Sequence, residues 1–175
     1  ITKPEAQRVI LAFFDSVDQA ANAVTEIISS RLTPSTLDLI DRATIQTIEK
    51  FYSTGLLIDK EAALIIEIDG FESTIEPQVK QIVDICTKLG SSEVRISSNE
   101  EEAEKIWFAR RSAFGAVAKL GPNVITEDAV VPRSKVPEMV KEIRRICDKY
   151  SINACIMGHA GDGNIHPNFS LDLRN

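Results

Sequence analysis

The sequence predicts an α+β fold of the ferredoxin-like kind, in which an antiparallel sheet carries helices on one face. Short apolar runs of strand length alternate with longer stretches whose apolar residues recur at helical spacing. The order of these segments resembles two linked β-α-β-β-α-β-like units. Of the 175 residues, 43% are hydrophobic and 26% are charged, a composition typical of a folded globular domain.

The first half of the chain predicts three strands separated by two helices. The run over 9–14 is apolar throughout, which is typical of a buried strand. The stretch over 17–29 has a helical apolar face, and either Ser16 or Asp15 can cap its start. The remaining predictions are a strand over 35–40, a helix over 41–52 and a strand over 62–69, which Gly70 ends.

The second half repeats this alternation. The helix predicted over 73–89 ends at Gly90, a common residue just beyond a helix. Asn99 can cap the next helix, whose first turn is acidic, as the positive end of a helix favours. The predicted segments are a strand over 93–97, a helix over 99–119, a strand over 124–131, a helix over 136–150, and strands over 154–158 and 165–171.

Composition also excludes several classes of partner. The net charge of −6 argues against nucleic-acid binding, which needs a basic surface. Three cysteines without framework spacing predict buried, reduced thiols and a cytoplasmic location. No apolar run approaches the ~20 residues that span a bilayer. The chain begins at Ile1 without a Met, so we expect it to be a piece of a longer protein.

Both histidines of the chain lie in one glycine-rich segment, from Met157 to Asn168. The pair formed by His159 and His166 could bind a divalent metal, or it could polarise a substrate oxygen. Glycine allows a ligand to approach the backbone closely. We therefore assign the segment between the histidines as the candidate cofactor contact; it comprises Gly161, Asp162, Gly163 and Asn164.

A structural interpretation of the same segment stays open. A tight hairpin also requires Gly, Asp and Asn, and each imidazole could then be hydrogen-bonded locally. Asp162 is either a turn former or a partner that orients an imidazole. Spacing alone does not choose between these alternatives.

The segment from Gly158 to Asn168 is similar to the signature of the C-terminal cap domain of FAD-linked oxidases. This family contains the glycolate oxidase D subunit, D-lactate dehydrogenases and D-2-hydroxyglutarate dehydrogenase. The resemblance runs over 1–175, and the glycolate oxidase D subunit type matches best. Four further segments carry it: Lys3-Pro4-Glu5-Ala6, Leu37-Asp38-Leu39-Ile40-Asp41, Ile106-Trp107-Phe108-Ala109-Arg110-Arg111 and Thr126-Glu127-Asp128-Ala129-Val130-Val131-Pro132.

The resemblance implies an FAD-dependent oxidation of a 2-hydroxy acid to a 2-oxo acid, with hydride transfer from C2 of the substrate to flavin N5. It makes His159 and His166 catalytic residues, and ligands of a divalent metal such as zinc in members that use one. Arg110 then pairs with the substrate carboxylate, a task suited to a guanidinium, and Asn168 contacts substrate or metal.

The chain departs from the family pattern in three ways. The glycine-rich FAD fingerprint belongs to an N-terminal domain that this chain lacks, so we expect the chain alone to be inactive. The glutamate that completes the metal site in the family lies beyond Asn175, so the metal site is incomplete here. Thr126 replaces a lysine of some relatives, which leaves the particular substrate open.

Other interpretations remain at this stage. Arg110, or the adjacent Arg111, could form a surface salt bridge with Glu102 or Glu104. The chain could instead be a non-catalytic module that binds other oxidase subunits, and those subunits could associate it with a membrane. It could also form a homo-oligomer. A metal-dependent hydrolase would need a third ligand. We expect Trp107 to belong to the core.

Overall fold

The protein, seen here as a computed structural model, is described over residues 4–174, so Lys3 of the first family-like segment lies outside the described residues. The strands are β1 (Ala6–Phe14), β2 (Thr36–Asp41), β3 (Ala62–Gly70), β4 (Ser91–Ile96), β5 (Asn123–Thr126), β6 (Ala129–Val130), β7 (Asn153–His159) and β8 (Asn164–Leu171). The α-helices are α1 (Val17–Ser29), α2 (Arg42–Phe51), α3 (Glu72–Lys88), α4 (Glu100–Val117) and α5 (Val136–Tyr150).

The predicted elements occur in the predicted order, and their start signals act as expected. Ser16 caps α1 by accepting a hydrogen bond from the amide of Gln19, and Asn99 caps α4 through the amide of Glu102. The one strand predicted over 124–131 is divided into β5 and β6. Glu127 still donates its amide to the carbonyl of Pro167 in the shared register, but Pro167 has no amide to donate in return, so the pairing is interrupted there.

All strands of the described chain form one antiparallel sheet, which confirms the predicted α+β class. The order is β4-β1-β3-β2-β7-β8-β5, with β6 also paired to β8. The order β4-β1-β3-β2 is that of a ferredoxin-like β-α-β-β-α-β unit, with α2 inserted between its middle strands. The second half differs from the prediction of a second such unit. It adds a β7–β8 hairpin that continues the same sheet by pairing with β2.

Helices cover both faces of the sheet, so the expectation of helices on one face is wrong. The side chains of Ile10 and Phe14 pack under α1 and α3, whereas those of Leu11 and Phe13 pack under α2 and α4. The reason is visible in β1, which is buried at every position from Val9 to Phe14. A strand that is apolar on both sides needs cover on both sides.

The pairing of β2, β7 and β8 fixes the position of the histidine segment. Asp38 of β2 lies directly opposite His159 of β7, and Met157 lies opposite His166 of β8. Paired residues and residues two apart share a face of a sheet. These four side chains therefore lie on the face that α2 and α4 cover.

Two composition-based expectations have structural counterparts. The three cysteines are free and buried, as predicted. Among the described residues, no helix is both long and apolar enough to cross a membrane.

Candidate active site

The hairpin brings the two histidines together at one end of the sheet. The ring centroids of His159 and His166 lie 5.3 Å apart, with the rings nearly perpendicular. The side chain of His159 is 51% exposed, whereas that of His166 is mostly buried. The pair thus opens to solvent on the His159 side.

The loop between the histidines is held by its own backbone. The amides of Asp162 and Gly163 both donate to the carbonyl of His159, and the amide of Gly161 donates to the carbonyl of Leu37 in β2. The carboxylate of Asp162 accepts from the amide of Asn164 at 3.2 Å. Asp162 is therefore a turn former, and the alternative that it orients an imidazole is wrong.

Glycine is required at Gly163 by the fold itself. Its φ is +81°, and a Cβ there would collide with the carbonyl oxygen of Val131. At Gly161 a Cβ would meet Leu37 at 3.4 Å, an ordinary contact. Packing thus explains Gly163, and its lack of a side chain is not by itself a sign of a cofactor.

Asp38 joins two of the predicted site residues. Its carboxylate is buried, at 2% exposure of the residue. One oxygen, Oδ1, lies 2.7 Å from Nδ1 of His159, and the other, Oδ2, accepts a hydrogen bond from Nε of Arg110 at 2.7 Å. Asp38 belongs to a family-like segment, and the resemblance gave it no role. The signal was available, because an acid within an apolar strand must find a partner.

Arg110 faces the sheet and not the solvent. Its side chain is 15% exposed, and Nη1 lies 3.3 Å from Sδ of Met157. The alternative of a surface salt bridge for Arg110 is wrong, and it is Arg111 that pairs with Glu104. Arg110 lies one helical turn after Trp107, whose indole packs partly buried at the core and donates to Glu67 at 2.6 Å.

His166 has a weaker partner than His159. Its Nδ1 lies 2.9 Å from Oδ1 of Asp128, in the bend between β5 and β6. The side chain of Asp128 is 73% exposed, so water competes for its charge. The two imidazoles therefore differ in how firmly they are oriented.

Asn168 is fully buried and its amide is occupied. Nδ2 donates to the carbonyls of His166 and Cys155, and Oδ1 accepts from the hydroxyl of Thr126 at 2.8 Å. Asn168 thus ties β8 to its neighbours and holds the backbone of His166. In the same hairpin, Oδ1 of Asn164 is a buried acceptor without a donor among residues 4–174.

The histidine pair fits part of a metal site. Each Nδ1 faces a carboxylate, which leaves Nε2 as the coordinating nitrogen, an arrangement typical of histidine ligands. Within residues 4–174, no group of three or more His, Cys, Asp or Glu side chains is placed to hold a metal ion. A metal here would need a further ligand from another part of the protein or from a substrate.

The sequence and the fold have counterparts in known proteins. The family model of the C-terminal domain of FAD linked oxidases matches residues 3–175, so the chain belongs to this family. The chain is 43% identical over its whole length to "Glycolate oxidase subunit GlcD" of Bacillus subtilis and covers 37% of that protein. It is 36% identical to the GlcD subunit of Escherichia coli, over 98% of the chain and 34% of that protein.

The chain is also similar to more distant proteins. A "Probable D-lactate dehydrogenase, mitochondrial" of Danio rerio is 26% identical over 97% of the chain and 34% of its own length. Among solved structures, p-cresol methylhydroxylase superposes with a TM-score of 0.74 at 13% identity, over 100% of this chain and 41% of that one. At that identity the likeness shows the fold alone. The chain spans little more than a third of its curated relatives.

Proposed function

We propose that this chain is the substrate-side cap domain, over residues 1–175, of a longer flavoprotein that oxidises a 2-hydroxy acid to a 2-oxo acid. The observation that carries the proposal is the cluster at the end of the sheet. There, a buried carboxylate joins a guanidinium to one of two adjacent imidazoles. Membership of the FAD-linked oxidase family and the similarity to glycolate oxidase subunits and D-lactate dehydrogenases support it.

The substrate of such a reaction presents two features to the protein. A 2-hydroxy acid carries a carboxylate beside a carbon, C2, that holds both a hydroxyl and a hydrogen. Oxidation removes a hydride from C2 and a proton from the hydroxyl, and the C2–oxygen bond becomes a carbonyl. FAD, held by another domain, would accept the hydride, which carries both electrons of the oxidation.

Arg110 is assigned to the substrate carboxylate. A guanidinium binds carboxylates through paired N–H groups, and its charge persists at any physiological pH. Only Nε is used by Asp38, so the Nη groups remain for a ligand. Because the side chain is largely buried, its bond to a carboxylate is less screened by water than a surface pair would be.

The two imidazoles are assigned to the substrate hydroxyl. With its Nδ1 proton held by a carboxylate, a neutral imidazole presents the Nε2 lone pair, which accepts the hydroxyl proton as C2 is oxidised. A divalent metal held by His159 and His166 would instead lower the pKa of the substrate hydroxyl as a Lewis acid. Both roles place His159 and His166 at the reacting oxygen, with Asn168 holding the backbone of His166.

The remaining assignments follow from this placement. We assign Gly161, Asp162, Gly163 and Asn164 to the side of the cap that faces FAD, because this loop adjoins the histidine pair. The relatives from Bacillus subtilis and Escherichia coli are named as glycolate oxidase subunits, so we propose other oxidase subunits as the partners of this protein. We place the protein in the cytoplasm. A non-catalytic subunit-docking module is the alternative outcome of the test.

The test is a turnover assay on the whole flavoprotein with a dye acceptor. Substrates are glycolate and the D- and L-forms of lactate, and propionate, which lacks the hydroxyl, is the control acid. We expect dye reduction with at least one hydroxy acid, none with propionate, and a loss of about 10²-fold or more in His159→Ala. Dye reduction by none of the acids would favour the docking module.

A further inference from the structure

We infer that Asp38 is a positioning residue that sets Arg110 and His159 in one fixed arrangement toward a shared substrate. This inference rests on the proposed function and adds a residue to its site. Asp38 touches neither of the two substrate groups itself. It acts by deciding which nitrogen atoms of its two partners remain free.

The backbone holds Asp38 from both sides. Within the sheet it is paired with Ile65 of β3 on one side and with His159 of β7 on the other. Its carboxylate has almost no access to water. A side chain so enclosed has few alternative rotamers, so its two oxygens define fixed directions for their partners.

The partners of Asp38 distinguish a site role from a purely structural one. Within residues 4–174, its carboxylate accepts no hydrogen bond from a backbone amide. Its contacts at hydrogen-bond distance are with the side chains of Arg110 and His159, of which that of His159 is 51% exposed and that of Arg110 15% exposed. A carboxylate that served only the fold would be expected to bind backbone or cap a helix.

Each contact leaves a defined set of free atoms. Asp38 occupies Nε of Arg110, and Nη1 faces only the weak acceptor Sδ of Met157. A substrate carboxylate is therefore bound by the Nη groups at the end of the guanidinium. Asp38 also draws the proton of neutral His159 to Nδ1, so the lone pair lies on Nε2.

The decisive variant is Asp38→Asn in the whole flavoprotein. The amide keeps the shape of the side chain but loses the charge, and only one of its two ends can accept a hydrogen bond. We expect the KM for the hydroxy acid to rise about 10-fold, because the carboxylate-binding edge of Arg110 is no longer fixed. We expect kcat to fall about 10²-fold, because the imidazole loses its orientation.

Glu67→Gln is the matched control. Glu67 lies on β3 and accepts from Trp107 of α4, one helical turn before Arg110, but it contacts neither Arg110 nor His159. Removing this charge should leave KM and kcat at their wild-type values. An Asp38→Asn protein that keeps its flavin and the wild-type KM and kcat would overturn the inference. So would an effect of Glu67→Gln equal to that of Asp38→Asn.

A second variant decides the matter if Asp38→Asn does not fold. Lysine in Arg110→Lys keeps the charge but has no fork that could hold Asp38 and a substrate carboxylate together. We expect its KM to rise about 10-fold, and unchanged kinetics would overturn the inference. Where both variants fold, their double mutant should lose no more than the worse single one, and losses that multiply would contradict the inference.

The two proposals fail in different ways. A wild-type protein that oxidises no 2-hydroxy acid overturns the proposed function, and this inference with it. A wild-type protein that turns over, together with an unaffected Asp38→Asn variant, overturns only the positioning role. The wild-type assay thus separates the two failures before any variant is compared.

Discussion

Strand β2 carries two aspartates that are equally buried, at 2% exposure each, yet differ in what they bind. Asp41 accepts from the amide and hydroxyl of Thr44 at the start of α2, and from the amide of Ile156 in β7. It also pairs with Arg144 of α5. Within residues 4–174, the carboxylate of Asp38 instead binds only side chains, those of Arg110 and His159.

The difference shows how one short strand serves both the fold and a site. Asp41 joins α2, α5 and β7, and its partner Arg144 also donates to the carbonyl of Ala154. The contacts of Asp41 therefore join elements of the fold, and two of them are with backbone amides. Asp38 lies three residues earlier on the opposite face of the strand, and its two partners keep nitrogen atoms free for a ligand.

The largest expected effect separates the two aspartates by stability. Asp41→Ala removes a helix cap, a bond to β7 and the partner of a largely buried guanidinium, so we expect a loss of about 3–5 kcal/mol in the free energy of unfolding. Asp38→Asn should lose only about 1–2 kcal/mol, because the amide keeps the shape and one acceptor oxygen, and no backbone amide loses its partner. Urea unfolding of the 175-residue chain measures both, and equal losses would break the comparison.

A smaller effect is expected in the hairpin that carries His159 to Asp38. Gly163→Ala places a Cβ against the carbonyl of Val131 at a φ of +81°, so we expect a loss of about 2 kcal/mol or more in the free energy of unfolding. Gly161→Ala is the matched control, because its Cβ meets only Leu37 at 3.4 Å. Its loss in the same urea experiment should be smaller, and the reverse order would show that the hairpin is built differently.

The smallest effect concerns two buried thiols, Cys155 on the face of the sheet that α2 and α4 cover and Cys86 on the face that α1 and α3 cover. Burial raises the pKa of the Cys155 thiol, against the opposing influence of Thr47 and Arg144, and burial raises the pKa of Cys86 to about 12. Both thiols are therefore protonated at pH 8, and we expect no alkylation by iodoacetamide until the chain unfolds.

The sign of the accompanying pH dependence follows from the raised pKa of Cys86. Below the unfolded value of 9.0 the thiol is protonated in both states, so it adds no pH dependence. As the pH rises from there toward 12, only the unfolded state ionises, and stability falls. Alkylation is measured by mass spectrometry. Labelling of either thiol in the native protein at pH 8 would contradict this description of the interior.

Much of the fold could be predicted from local pattern. The helix over 17–29 matches α1 at both ends, because its apolar spacing and the cap at Ser16 are local signals. The face of the sheet on which each helix lies could not be predicted from local pattern. Val9 to Phe14 is apolar throughout, which indicates cover on both faces, but only the observed packing shows which helices lie on each face.

Some residues of the candidate site could also be predicted from the sequence. His159, His166 and Arg110 carry chemistry that is recognisable by residue type, and the family resemblance named all three. The carboxylates of Asp38 and Asp128, which contact the two imidazoles, were not identified as site residues. Both lie far from the histidines in sequence, and strand pairing or the segment between β5 and β6 brings them close. Such partners depend on register, which a single sequence does not fix.

The most direct measurement of the central claim is anaerobic bleaching of bound flavin in the whole protein. The visible spectrum would be followed after mixing with glycolate or D- and L-lactate, for the wild type and for His159→Ala. We expect rapid bleaching of the wild type by one of these acids and loss of that bleaching in the variant. A colourless protein, or equal bleaching in both, would contradict the assignment of this cluster as the active site.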